Sequence, residues 1–207
     1  MYSFVQQKND VFADLLHPLA QMLDGGGLPA LFSGLSEVHR AHLTAYLAGD
    51  WDGCVCVVCP DDASAERFAR DLGAMLETDV PVIAARDFTF TAMDAVSRQA
   101  EQRRLGTLFA LGGDTPPKAV VCTAGGLLQR TIPKQRLRDA AFVLENGGSC
   151  PIEDAEQRLL LCGFKPTEQV EGPGQFARRG GILDFFTPGC DQPVRCEFWG
   201  DDIESMG

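Results

Sequence analysis

The chain predicts an α/β protein in two parts, a parallel-sheet domain over residues 1–131 and a smaller α+β domain with an antiparallel sheet over 132–207. Three observations predict it. Strand-like and helix-like stretches alternate at short intervals through the first part, and two of the strands (53–59 and 119–123) are continuous apolar, Val- and Cys-rich runs of the kind a parallel sheet needs. The last part carries short alternating strands separated by Gly, Pro and Asp turns.

In chain order, Val11, Leu15, Leu19, Met22 and Leu23 recur near helical spacing and predict a helix over 9–24, ended by Gly25-Gly26-Gly27. Residues 29–33 read as a short apolar strand, and Gly34 opens a turn into a helix over 36–47. The run 53–59 is the next strand. Pro60-Asp61-Asp62 is its loop, with Asp62 or Ser64 expected to cap a helix that ends at Leu76. A strand follows at 80–84, then an irregular stretch to Thr91. Residues 93–112 read as a helix with Ser97, Arg98, Glu101, Arg103 and Arg104 on its polar side. Residues 119–123 form a strand and 125–130 a helix. The stretch 132–139, with Pro133 among alternating Lys and Arg, looks like the crossing into the second domain. There a strand is expected at 140–144, a helix at 151–162 and the start of the sheet at 164–170.

The end of the chain is read in most detail. Residues 175–179 and 182–186 are strands joined at Gly180-Gly181, where the backbone must bend or bulge. A third strand spans 194–199, and Gly200-Asp201-Asp202 turns it into a fourth. Side chains two apart share a face of a strand, so Val194, Cys196 and Phe198 point one way and Arg195, Glu197 and Trp199 the other. The first set is a core face. The second sets an indole among charges on the solvent side, and Arg and Trp are the residue types that anchor protein interfaces. The same pattern also suits a plain solvated face with Trp199 at its edge.

Composition narrows the function. Of 207 residues, 45% are hydrophobic and 23% charged, as in globular proteins. No apolar run approaches the roughly 20 residues of a membrane span, and the N-terminus lacks the basic start and apolar stretch of a signal peptide, so a cytoplasmic place is expected. A net charge of -11 favours protein partners over duplex DNA, whose binders rely on neutralising phosphate. Of the eight cysteines, Cys56 and Cys59 formally make a C-x-x-C. Three apart on a strand they face opposite sides and cannot share a metal; His17, His39 and His42 lie on helical patterns. No metal site and no cofactor is expected.

The turn Gly34-Leu35-Ser36-Glu37-Val38-His39-Arg40-Ala41 stands where a nucleotide-binding loop would lie. Such a loop needs glycines to wrap phosphate, a Lys for the outer phosphates and a Ser or Thr for magnesium. Here Glu37 and His39 replace glycines, Arg40 stands at the lysine position, and Ala41 has no oxygen for a metal. The first domain therefore reads as a degenerate P-loop type, and no catalytic residue is assigned.

Two stretches resemble a known family. They run from Gly174-Gln175-Phe176-Ala177-Arg178-Arg179-Gly180-Gly181-Ile182-Leu183-Asp184-Phe185-Phe186 and from Pro193-Val194-Arg195-Cys196-Glu197-Phe198-Trp199-Gly200-Asp201-Asp202-Ile203-Glu204-Ser205. They are similar to the transcription-repair coupling factors (Mfd), in the N-terminal module that this family shares with UvrB. Met93-Asp94-Ala95-Val96-Ser97-Arg98 and Arg103-Arg104-Leu105-Gly106-Thr107-Leu108 carry the likeness further back, so that it extends from roughly Leu31 to the C-terminus. The resemblance implies a non-catalytic module that binds UvrA through Arg179, Arg195 and Trp199. The family's aromatic at the last position is usually Phe. It implies a much longer parent, an ATP-dependent DNA translocase that also binds RNA polymerase and DNA and masks the UvrA face until its motor engages. The alternative is a UvrB-like ATPase fragment with residual nucleotide binding.

Overall fold

Ala119–Thr123 (β3) is buried at all five positions, the signature of a strand covered on both faces. In the computed structural model, which describes residues 29–85, 94–188 and 190–207, β3 is the middle of a three-stranded parallel sheet. Its neighbours are Val55–Cys59 (β1) and Val82–Ile83 (β2), in the order β1-β3-β2. Val121 pairs with Val57 on one side and Val82 on the other.

Two helices pack with this sheet. Glu37–Asp50 (α1) starts at Ser36, whose hydroxyl accepts from the His39 amide. Asp62–Leu76 (α2) starts at Asp61, whose Oδ1 accepts from the Ser64 amide at 2.8 Å. The expected cap was Asp62 or Ser64. Asp61 takes the role because it is the last residue with extended backbone before the helix. α2 buries Ala65, Ala69, Leu72 and Met75, a stripe at helical spacing. Its Leu72 and Met75 meet Ala41, Ala45 and Ala48 of α1, where small side chains let the two helices approach closely.

Three expectations for this unit are corrected. Residues 29–33 form no strand: Leu31 is 94% exposed, and the segment takes no place in the sheet. β1 is not a continuous buried run. It lies at the sheet edge, with Val55, Val57 and Cys59 turned towards the packed side and Cys56 and Val58 exposed. The helix after β3 is shorter than expected, Ala124–Leu128 (α4 in chain order, after α3 at Asp94–Gly112). The helix predicted over 9–24 and the irregular stretch up to Thr91 lie outside the described residues, apart from Ala85.

The described residues fall into two units. One holds those up to Ala85 together with Asp114–Leu128, and the other holds those up to Gly113 that follow, together with Gln129–Gly207. The second unit therefore includes α3. Its Arg103 is exposed as expected, but Arg104 is only 7% exposed and donates to the Gln129 carbonyl, so it does not belong to a solvated polar face. The side chains of Ser97 and Arg98 lie outside the described residues. The expected crossing is a short helix, Lys134–Ala140 (α5), whose Arg138 donates to the Gly112 carbonyl at 2.6 Å. Residues 140–144 form no strand. Phe142 and Leu144 instead lay their side chains against the core of the second sheet.

That sheet runs Lys165–Pro166 (β4), Gln175–Arg179 (β5), Ile182–Phe185 (β6), Val194–Trp199 (β7) and Asp202–Met206 (β8), in that spatial order. It is mixed, not antiparallel as expected. β4 and β5 run parallel because the loop between them carries the chain back to the end at which β4 began. The remaining pairs are antiparallel. Gly180-Gly181 is a two-residue hairpin turn with Arg179 paired to Ile182; Gly180 sits at φ +61°, where a side chain is disfavoured. The bulge lies elsewhere, between Glu197 and Phe198 where β7 meets β8.

One face of the sheet is closed by Ile152–Leu161 (α6). Ile152, Ala155 and Leu159, spaced three and four apart, pack on Phe176, Leu183, Phe185, Cys196, Phe198 and Ile203. Arg178 ties the strand to the helix by ion pairs to Glu153 and Glu156. Burial pushes the Cys196 thiol up to about 11, so it stays neutral in this core. No helix among the described residues is long and apolar enough to cross a membrane.

Candidate docking face

The face opposite α6 is fixed by register. Arg179 pairs with Ile182 and Ile182 with Glu197; Ala177 pairs with Asp184 and Asp184 with Arg195. Paired residues share a face. Arg179, Ile182, Asp184, Arg195, Glu197 and, by alternation, Trp199 therefore all project from the same side. The burial of β7 follows the predicted alternation: Cys196 and Phe198 are buried, and Arg195, Glu197 and Trp199 exposed.

Arg195 is held by a two-point contact with Asp184, Nε to Oδ1 at 2.7 Å and Nη2 to Oδ2 at 2.8 Å. The carboxylate is the more sheltered partner, with 19% of its side chain exposed against 56% for Arg195. The Arg195 hydrogen bonds pull the Asp184 carboxyl below its ordinary range. Partial burial opposes the shift, and the charges of Arg195 and Arg179 add to it. Arg179 donates through Nη2 to the Glu168 carbonyl, which pins the loop after β4 near the end of β5. Arg179, Asp184 and Arg195 line a cleft of about 520 Å³ together with Gln169, Val170 and Pro193.

Trp199 stands apart from that cleft. It is 80% exposed and pairs with Asp202 across the β7–β8 turn. Four residues separate it from Arg195, about 13 Å along a strand. The structure thus brings Arg179 and Arg195 to one cleft and puts Trp199 on the same face, further along. Asp184, which orders Arg195, is given no site role in the sequence reading. Its signal was present: an Asp inside an apolar strand is disfavoured unless something across the sheet needs it.

The face holds two guanidinium groups, the carboxylates of Asp184, Glu197 and Asp202, and an indole, a set suited to gripping a protein surface. Among the described residues no group of three His, Cys, Asp or Glu is placed to hold a metal ion. At the turn before α1, Gly34 has φ +76°, but no strand leads into it. Ala41, which the sequence reading sets at the magnesium position of such a loop, is fully buried with Leu72 and Met75 of α2. Cys56 and Cys59 lie on opposite sides of β1, Cys59 being packed with Ala65, Ala69 and Val121.

Residues 142–207, which include the whole second sheet, match the family described as the UvrB interaction domain. The chain is 33% identical over 91% of its length to the transcription-repair-coupling factor of Myxococcus xanthus. It is 28% identical over 87% to that of Escherichia coli K12, and 22% identical over 99% to that of Bacillus subtilis 168. It covers 16%, 16% and 17% of those proteins, about a sixth of their length.

Proposed function

Because the chain is homologous to the N-terminal region of transcription-repair-coupling factors, we propose that it is a non-catalytic docking module that recruits UvrA. In this reading residues 132–207 form the UvrA-binding domain, and Arg179, Arg195 and Trp199 make the contact. The α/β domain before it is a degenerate relative of nucleotide-binding domains that serves as support. The parent protein is an ATP-dependent translocase that engages RNA polymerase and DNA, so UvrA recruitment links a stalled polymerase to excision repair in the cytoplasm.

The observation that carries the reading is the Arg195–Asp184 pair on an open sheet face, with Trp199 exposed further along the same face. Arg and Trp dominate binding energy at protein interfaces. A guanidinium already held flat by a carboxylate loses less freedom when a partner docks. Both arginines are exposed, so reversing their charge leaves the core untouched.

The test is a calorimetric titration of UvrA with wild type and Arg179→Glu/Arg195→Glu. The variant is expected to bind at least about tenfold more weakly. Unchanged affinity refutes the assignment. Titration with ATP and magnesium checks the supporting domain: no saturable heat is expected, and saturable binding would restore the ATPase reading.

A further inference from the structure

We propose that Cys56 and Cys122 form a two-thiolate site for a soft, thiophilic d10 cation of the zinc or copper(I) class. The two residues lie 66 positions apart, and their sulfur atoms are 3.7 Å apart. The parallel pairing of β1 and β3 creates this contact. Cys56 pairs with Val120 and Cys122 with Val58, so the two cysteines share a face but sit two residues out of step.

That offset decides what the pair can do. One strand across and two residues along separates their Cα atoms by roughly 8 Å. An unstrained disulfide wants about 4.4–6.8 Å, so direct bonding requires the backbone to move. None of the eight cysteines is joined in a disulfide. A single bridging atom needs no such movement. With metal–sulfur bonds of about 2.3 Å, a 3.7 Å sulfur separation subtends a nearly tetrahedral angle at the metal. Soft thiolate ligands select zinc and copper(I) over harder cations.

Access is one-sided. Cys122 is fully buried, Cys56 is exposed, and Val58 beside it is 52% exposed, so an ion enters from the Cys56 side. Solvent or a small exogenous ligand completes the coordination there. Binding is a ligand exchange without redox change: each thiol gives up its proton to solvent, and the cation takes both thiolates. Cys122 gives up its weak S–H contact to the Val57 carbonyl. Cys59, the other half of the sequence motif, faces away and takes no part.

The test uses the full, reduced chain under anaerobic conditions, titrated separately with Zn2+ and with Cu(I) against a chromophoric chelator. Wild type is expected to bind a single equivalent more than Cys56→Ser, while Cys59→Ser and Cys190→Ser keep the wild-type stoichiometry. Cys56→Ala is the second variant if the serine disturbs the sheet, with circular dichroism checking the fold. Mass-spectrometric mapping of iodoacetamide alkylation gives a residue-specific readout, in which the bound ion slows labelling of Cys56 several-fold. Loss of the equivalent with either ion supports the site. Equal stoichiometry in wild type and the Cys56 variants with both ions, or unprotected Cys56, overturns it.

Discussion

Leu183→Ala separates the two faces of the second sheet. Leu183 sits at the centre of the middle strand β6, is fully buried and packs with Phe176, Phe198 and Leu159. Its neighbours Ile182 and Asp184 project from the opposite, open face. Truncation to Ala removes the apolar transfer energy of the lost carbons and leaves a cavity that a strand paired on both sides cannot close. Such changes cost about 3 kcal/mol, in a range of 2–5. For a unit of this size each kcal/mol lowers Tm by roughly 4–8 °C, so a drop of about 12–24 °C follows. Thermal and urea melts followed by circular dichroism measure it. At temperatures where the variant is still folded, its affinity for UvrA should match wild type, because no side chain of the open face has changed. A loss below about 1 kcal/mol would refute the packing argument. A drop in UvrA affinity in the fully folded variant would refute the separation of faces.

Two further outcomes follow. Asp184 has a folded pKa below its ordinary value, so its stabilising effect is complete above about pH 4 and is lost as pH falls through the folded value. The Tm difference between wild type and Asp184→Asn should therefore be constant near neutrality and shrink on acidification below pH ~4; a difference that does not narrow counts against the pair. A Cβ on Gly181 would lie 2.8 Å from the Phe198 carbonyl oxygen, whereas one on Gly172 would meet nothing within 4 Å. Gly181→Ala should destabilise by roughly 1–3 kcal/mol and Gly172→Ala should be close to neutral in the same melts, so equal effects would contradict the β6–β7 geometry.

Local patterns were legible where local physics decides. The alternation of Val194, Cys196 and Phe198 against Arg195, Glu197 and Trp199 reads directly from the chain, because neighbouring side chains on any strand must point to opposite faces. The helix Ile152–Leu161 and the strand Ala119–Thr123 were visible for similar reasons, one in its helical spacing and one in its unbroken apolar run. The apolar stretch 29–33 looked like a strand, yet a strand also needs a neighbour to bond, and none pairs with it among the described residues.

What the chain determines by itself is which residues share an element and which way they alternate along it. Only the tertiary structure decided who meets whom: Asp184 beneath Arg195, Cys122 behind Cys56, and β4 parallel to β5. Strand partners and register are set by packing between residues far apart in the chain. A one-residue slip would move every side chain to the other face, so no local pattern can encode these pairings.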